Sequence, residues 1–220
     1  RFAYTVAAAR ELPVLVLKGA RVATKRVGDV DVEAVLLGDD AKLAETVMTR
    51  AGKSLAMLEE RLGPSPYKTL RVVEMRLVNG AGGMEFPGLI TVSTNLLSGR
   101  GNPLAALGLG GEQARMAQLM FGGALDQMMA STLDFTIDHE VAHQYTAMLV
   151  GNDPGAEPLA DEPLTQHLAL LLLEWRAGPK AADALRNGQL RASYQLMRML
   201  GTADAKANRP THEFESNLEY

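Results

Sequence analysis

Two histidines stand four residues apart around a glutamate in His139-Glu140-Val141-Ala142-His143. On an α-helix, residues i and i+4 lie about 400° apart, so both imidazoles leave the same face one turn apart. Two neutral ring nitrogens so placed can reach one metal ion at about 2.0–2.1 Å each. Glu140 follows the first histidine and is offset around the helix, near the metal without being bound to it. A general base has to stand there to take a proton from an activated water. A catalytic zinc commonly uses three protein ligands and leaves one position open. Eighteen residues after His143, past a Gly/Pro-rich turn at 151–158, Asp161-Glu162 begin the next helix. An antiparallel return would carry Glu162 back to the histidine face, and His₂Glu suits zinc and hydrolytic chemistry. The chain holds only four histidines, and a chance placement of two around a glutamate is rare, roughly below one in a hundred. Of the other two, His167 is expected to be structural or to stand behind the ligands. His212 lies in a polar, solvated tail.

Several elements must position this constellation. Pro13 to Leu17 reads as a strand, and Val30 to Leu36 alternates apolar and polar residues with period two. Gly38-Asp39-Asp40 can cap a helix over Ala41 to Leu62, which Gly63-Pro64 stops. Leu70 to Val78 predicts a strand, Asn79 to Gly83 a loop, and Leu89 to Val92 a further strand. Gly99 to Gly123 is a Gly-rich excursion with no derivable function. Ser131-x-x-Asp134 fits a capping box for the helix that carries His139 and His143 and runs to Val150. Leu159 to Arg176 and Lys180 to Leu200 follow as helices around Gly178-Pro179. Strands come first and helices later without strict βαβ alternation, which predicts an α+β fold.

Composition excludes several classes. The 220 residues carry 22 Lys+Arg against 26 Asp+Glu, a formal net charge of −4, with 47% hydrophobic residues. Such a chain can bury a core and is neither disordered nor fibrous. Its mild acidity argues against nucleic acid as a partner. It has no cysteine, so disulfides, thiolate metal sites and cysteine nucleophiles are absent. The longest apolar run, Leu168 to Leu173, is far short of the roughly 18 residues of a membrane span. The chain opens on Arg1 with nothing like a signal peptide, which suggests a piece of a longer protein. Cytoplasmic and cell-envelope locations both stay open.

The text around these residues resembles the aminopeptidase N-like family of zinc metallopeptidases, the gluzincins. The resemblance rests on His139-Glu140-Val141-Ala142-His143-Gln144-Tyr145, on Leu149 to Asp153, and on Leu159-Ala160-Asp161-Glu162. Upstream, Gly82-Gly83-Met84-Glu85-Phe86 is similar to that family's exopeptidase motif, and Phe2-Ala3-Tyr4 to the end of its amino-terminal β domain. The resemblance implies a thermolysin-like catalytic domain over 13–220, with 1–12 the tail of a preceding β domain. It implies one zinc per chain held by His139, His143 and Glu162, with Glu140 as general base. Glu85, with Gly83 and Met84 beside it, would bind the free amino terminus of a peptide substrate.

The chain departs from the family pattern in three ways. Leu159 and Pro163 replace a Trp and a Gly around the third ligand, although proline is tolerated in a first helical turn. Phe86 replaces an Asn, which bears on substrate preference. No Tyr-x-Lys-Gly motif follows, and Glu219-Tyr220 resembles the segment before it. By the resemblance, the chain stops short of the family's oxyanion-binding tyrosine and of the further domains of its parent. Loss of one oxyanion donor costs about 10²–10³-fold in rate, so weak turnover is expected. Two other readings remain: a metallo-endopeptidase of the same fold, and a metal-stabilised, non-catalytic scaffold.

Overall fold

The structure is a computed structural model that describes residues 11–78, 81–97, 131–199, 201, 210 and 213. The expectations for 1–10, for the 99–123 excursion, for His212 and for Glu219-Tyr220 fall outside these residues.

β1 (Arg21–Val27) and β2 (Val30–Leu36) form a hairpin with Val27 opposite Val30. The period-two pattern of β2 buries Val30, Val32, Ala34 and Leu36 and turns Asp31, Glu33 and Val35 outward. α1 (Ala41–Leu62) follows, capped by the Asp40 carboxylate, which accepts from the Leu43 N–H at 2.9 Å. The chain then enters β3 (Thr69–Met75), parallel to β2. β4 (Gly83–Phe86) makes a tight antiparallel hairpin with β5 (Leu89–Ser93), and β5 pairs parallel with β3. The sheet order is β1-β2-β3-β5-β4, which leaves the short β4 at an edge.

A short α2 (Thr94–Leu97) closes the sheet-forming half. The helix α3 runs through 131–145 and widens into a π-turn at Thr146–Val150. After a 3-10 turn at Pro158–Ala160 come α4 (Glu162–Ala177), α5 (Pro179–Leu185), a second wide turn at Arg186–Leu190, and α6 (Arg191–Met199). One core joins the buried faces of β2, β3 and β5 to Val47, Ala51, Leu55 and Leu58 of α1. Ile137, Val141 and Tyr145 of α3 and Leu168 and Leu172 of α4 complete it. Each such side chain taken fully from water contributes about 1.5–3 kcal/mol. Together these layers make an α+β molecule, as the order of strands and helices predicts. Among the described residues no helix is long and apolar enough to cross a membrane.

Several expected boundaries move. Pro13 to Leu17 is not a strand: it finds no backbone partner among the described residues, and Val14 and Val16 stand largely exposed. It lines a cleft of about 750 Å³ on the outer face of the sheet, with Val35, Tyr67, Val73 and Leu89. The edge position beside β2 belongs instead to β1. β3 ends at Met75, and Gly83 opens β4 rather than closing a loop. Ser131 is already helical and so does not cap α3. α4 starts at Glu162 because Pro158 to Ala160 are wound into a separate turn. The expected helix over Lys180 to Leu200 is divided by the wide turn at Arg186–Leu190.

Candidate metal centre

α3 presents His139 and His143 one turn apart, their ring centroids 4.6 Å apart and their planes nearly perpendicular. α4 begins at Glu162, so its carboxylate enters the site from a helix start, fixed by the turn at Pro158–Ala160. The ligand atoms converge. The two Nε2 atoms are 3.0 Å apart, His139 Nε2 lies 2.9 Å from Glu162 Oε2, and His143 Nε2 lies 3.6 Å from Glu162 Oε1. A tetrahedral ion with N and O ligands at about 2.0–2.2 Å spaces those ligands about 3.3–3.6 Å apart. One observed edge falls in that range and the other two are about 0.3–0.4 Å shorter, so a small outward turn of the side chains lets His139, His143 and Glu162 hold a metal ion together. The side chains have the right chemistry for it, two imidazoles and one carboxylate in a partly buried niche.

Charge within the site follows from burial and contact. Burial alone would lower the His143 pKa, but the Asp161 and Glu162 carboxylates hold it up at about 10. A proton thus sits where a cation would be welcome. Burial would raise the Glu162 pKa, yet hydrogen bonds with His139 and His143 hold it well below the usual carboxylate range. Behind the ligands, His143 Nδ1 meets Thr165 Oγ1 at 3.2 Å and Asp161 Oδ1 at 3.3 Å. Thr165 Oγ1 in turn lies 2.5 Å from Thr146 Oγ1, which bonds back to the Ala142 carbonyl. These contacts orient the ring, since the partner of one imidazole nitrogen decides what the other can do.

Glu140 is only 5% exposed, and its Oε2 is buried without a hydrogen-bond partner. Burial pushes its pKa well above the ordinary value; His143 opposes this, and Glu85 and Glu162 add to it. β4 supplies the facing wall. Glu85 is opposite Ile90 in the register and therefore turns to the helix side, where its carboxylate joins those of Glu140 and the His143 ring in one cluster. Burial raises the Glu85 pKa as well, with His143 only partly offsetting it. Gly83, two residues back, faces the same way: a Cβ there would come within 2.6 Å of Glu140 Cγ. Only glycine lets the strand pass this close. Met84 points to the opposite face and is largely exposed.

The structure thus gathers His139, His143, Glu162, Glu140, Glu85 and Gly83 at one place and leaves Met84 on the other side of β4. His167 is exposed, so it is not part of the core, and it belongs to neither group of side chains able to hold a metal. Sequence reasoning gave no role to Thr165, Asp161 or Gln144. Thr165 could have been found from its place three residues after Glu162, on the same helical face. No protein-family model matches the chain, and no curated protein matches it significantly.

Proposed function

We propose that this chain is the zinc-binding part of a zinc-dependent aminopeptidase of the aminopeptidase N-like kind, built on a thermolysin-like domain. The observation that carries the proposal is the convergence of two carboxylates with different duties on one His₂Glu set. Glu140 stands beside the ligands without joining them, and Glu85 reaches in from an edge strand. Zinc, when bound, supplies Lewis acidity that polarises a scissile carbonyl and lowers the pKa of water toward about 7. Glu140 has the place of the general base: buried, with a raised pKa and a free Oε2, it accepts a proton and passes it to the leaving amine. Glu85 offers a carboxylate to the ammonium group of a peptide's first residue.

The strand carries the rest of the substrate. The Ser93 N–H donates to the Gly82 carbonyl at 2.8 Å. Antiparallel alternation therefore turns the backbone groups of Gly83 and Glu85 away from β5, toward the open edge. An extended peptide can add there as a further strand. A half-buried acid, Glu85, one side chain away from the reacting end favours an exopeptidase over an endopeptidase, which has no use for it.

The test is metal analysis of the purified protein beside His143→Ala and Glu140→Gln. One zinc per chain is expected in the unaltered protein and in Glu140→Gln, and none in His143→Ala. Glu140→Gln should also abolish any hydrolysis of leucine p-nitroanilide. Failure of the unaltered protein to take up zinc would sink the proposal.

A further inference from the structure

Gln144 lies one residue past His143 on α3 and is buried to 1% exposure, yet it is not a ligand. Its side-chain amide reaches across to the β4–β5 turn. Oε1 accepts from the Gly88 N–H at 2.9 Å, and Nε2 donates to the Phe86 carbonyl at 3.0 Å. The two bonds bracket Pro87, so one planar amide grips both sides of a two-residue turn. Gly88 is held there at φ +67, with Thr69 O only 2.9 Å from where a Cβ would stand. No hydroxyl or shorter amide could make both bonds from that helical position.

β4 needs such a grip. It is four residues long and, among the described residues, lies at the edge of the sheet with β5 as its one strand neighbour. Sheet pairing fixes it laterally but leaves its height above α3 to other contacts. Contacts at both ends set that height: Gly82 and Gly83 resting against the Thr136 and Glu140 side chains at one end, and the Gln144 clamp at the other. Glu85 lies between them, two residues from Gly83 and one from Phe86.

We infer that Gln144 is a positioning residue that fixes the distance between the edge strand and the ligand-bearing helix, and so places Glu85 for a substrate's amino group. The inference rests on the aminopeptidase reading of Glu85. It separates two properties that share α3: Gln144 governs recognition of the amino end and leaves metal binding alone.

The test uses zinc-loaded protein and two probes, leucine hydroxamate, which carries an amino group, and acetohydroxamate, which lacks one. Hydrogen exchange over residues 84–90 is followed alongside. In Gln144→Met, zinc content and acetohydroxamate affinity should hold, exchange at the Gly88 amide should speed up, and preference for leucine hydroxamate should fall about 10–100-fold, as a misplaced group typically does. Gln144→Glu, when ionised, keeps the acceptor for Gly88 but cannot donate to Phe86, so at high pH it should fall between the two, and it serves if Gln144→Met fails to fold. Unchanged exchange and unchanged preference would overturn the inference, and so would loss of zinc. If the unaltered protein shows no preference for the amino probe, the reading of Glu85 fails, and the placement of Glu85 by Gln144 fails with it. Faster exchange would then establish only the clamp itself.

Discussion

The ring of His143 shows how much of a metal site lies outside its ligands. Nε2 faces His139 and Glu162, while Nδ1 is engaged by Thr165 and Asp161. Thr165 is fully buried, and its hydroxyl also meets Thr146, so one small side chain ties α4 to the end of α3. Partners of this kind fix ring orientation, and their loss typically weakens metal binding about 10–100-fold. Thr165→Val keeps the shape and removes the hydroxyl. Zinc affinity of Thr165→Val, measured by competition with a chelator, should fall by that factor with little change in fold. An unchanged affinity would mean that Asp161 alone orients the ring.

At the scale of elements, a buried charge cluster holds the ligand-bearing helices together. Asp138, next to His139 and fully buried, is paired with Arg50 of α1 and with Arg176 of α4, at 2.8 Å for the latter. Ser54 of α1 donates to it at 2.5 Å. One carboxylate thereby joins α3 to the helix beneath it and to the far end of the helix that begins with Glu162. Removing one partner of a buried pair strands the other charge, at a cost of about 3–5 kcal/mol. Asp138→Ala should show most of that loss in urea unfolding, because Arg50, 6% exposed, would keep only the longer contact of its Nε with Asp134 at 3.8 Å. Arg176→Ala should cost about 1 kcal/mol or less, its side chain being a quarter exposed. Equal, small losses in both would mean that packing alone holds the helices.

This cluster also marks where sequence reading stops. The His139-Glu140-His143 pattern and Glu162 were legible because ligand geometry imposes fixed spacings along helices. The strand β2 and the helix α1 were legible because each pattern has one period and a clear cap. Arg50, by contrast, sits among apolar residues of α1, and nothing local says that its partner lies 88 residues on. β1 was missed because its outward residues Val22, Thr24 and Arg26 give no clean alternation of polarity. Pro13 to Leu17 was misread for the opposite reason, since β-forming residues become a strand only where a neighbouring edge is free to pair.

Across the whole molecule, the strands, helices and charge cluster converge on a site where proton and metal compete. With no metal bound, His143 is held at a pKa of about 10, above its ordinary value near 6.5, by Asp161 and Glu162 against the effect of burial. A group whose folded-state pKa is raised contributes stability that is complete below its unfolded pKa and is lost as pH rises through the folded one. The metal-free protein should therefore lose stability between about pH 6.5 and pH 10. Glu162, whose pKa is held low, keeps its charge across that window. A bound cation takes the proton's role toward Glu162, and ligand binding to the folded state adds RT ln(1 + [L]/Kd), about 2.7 kcal/mol at a hundredfold excess over Kd. Zinc should thus raise Tm and flatten its decline with pH, because neutral imidazole is the ligand form. Thermal melts at several pH values, with chelator and with zinc, compare the two curves, and His143→Gln should lose the slope in chelator. A metal-free Tm that is flat or rises from pH 6.5 to pH 10 would show that no stabilising proton resides on His143. His143 would then be a neutral imidazole held open by the fold rather than closed by charge.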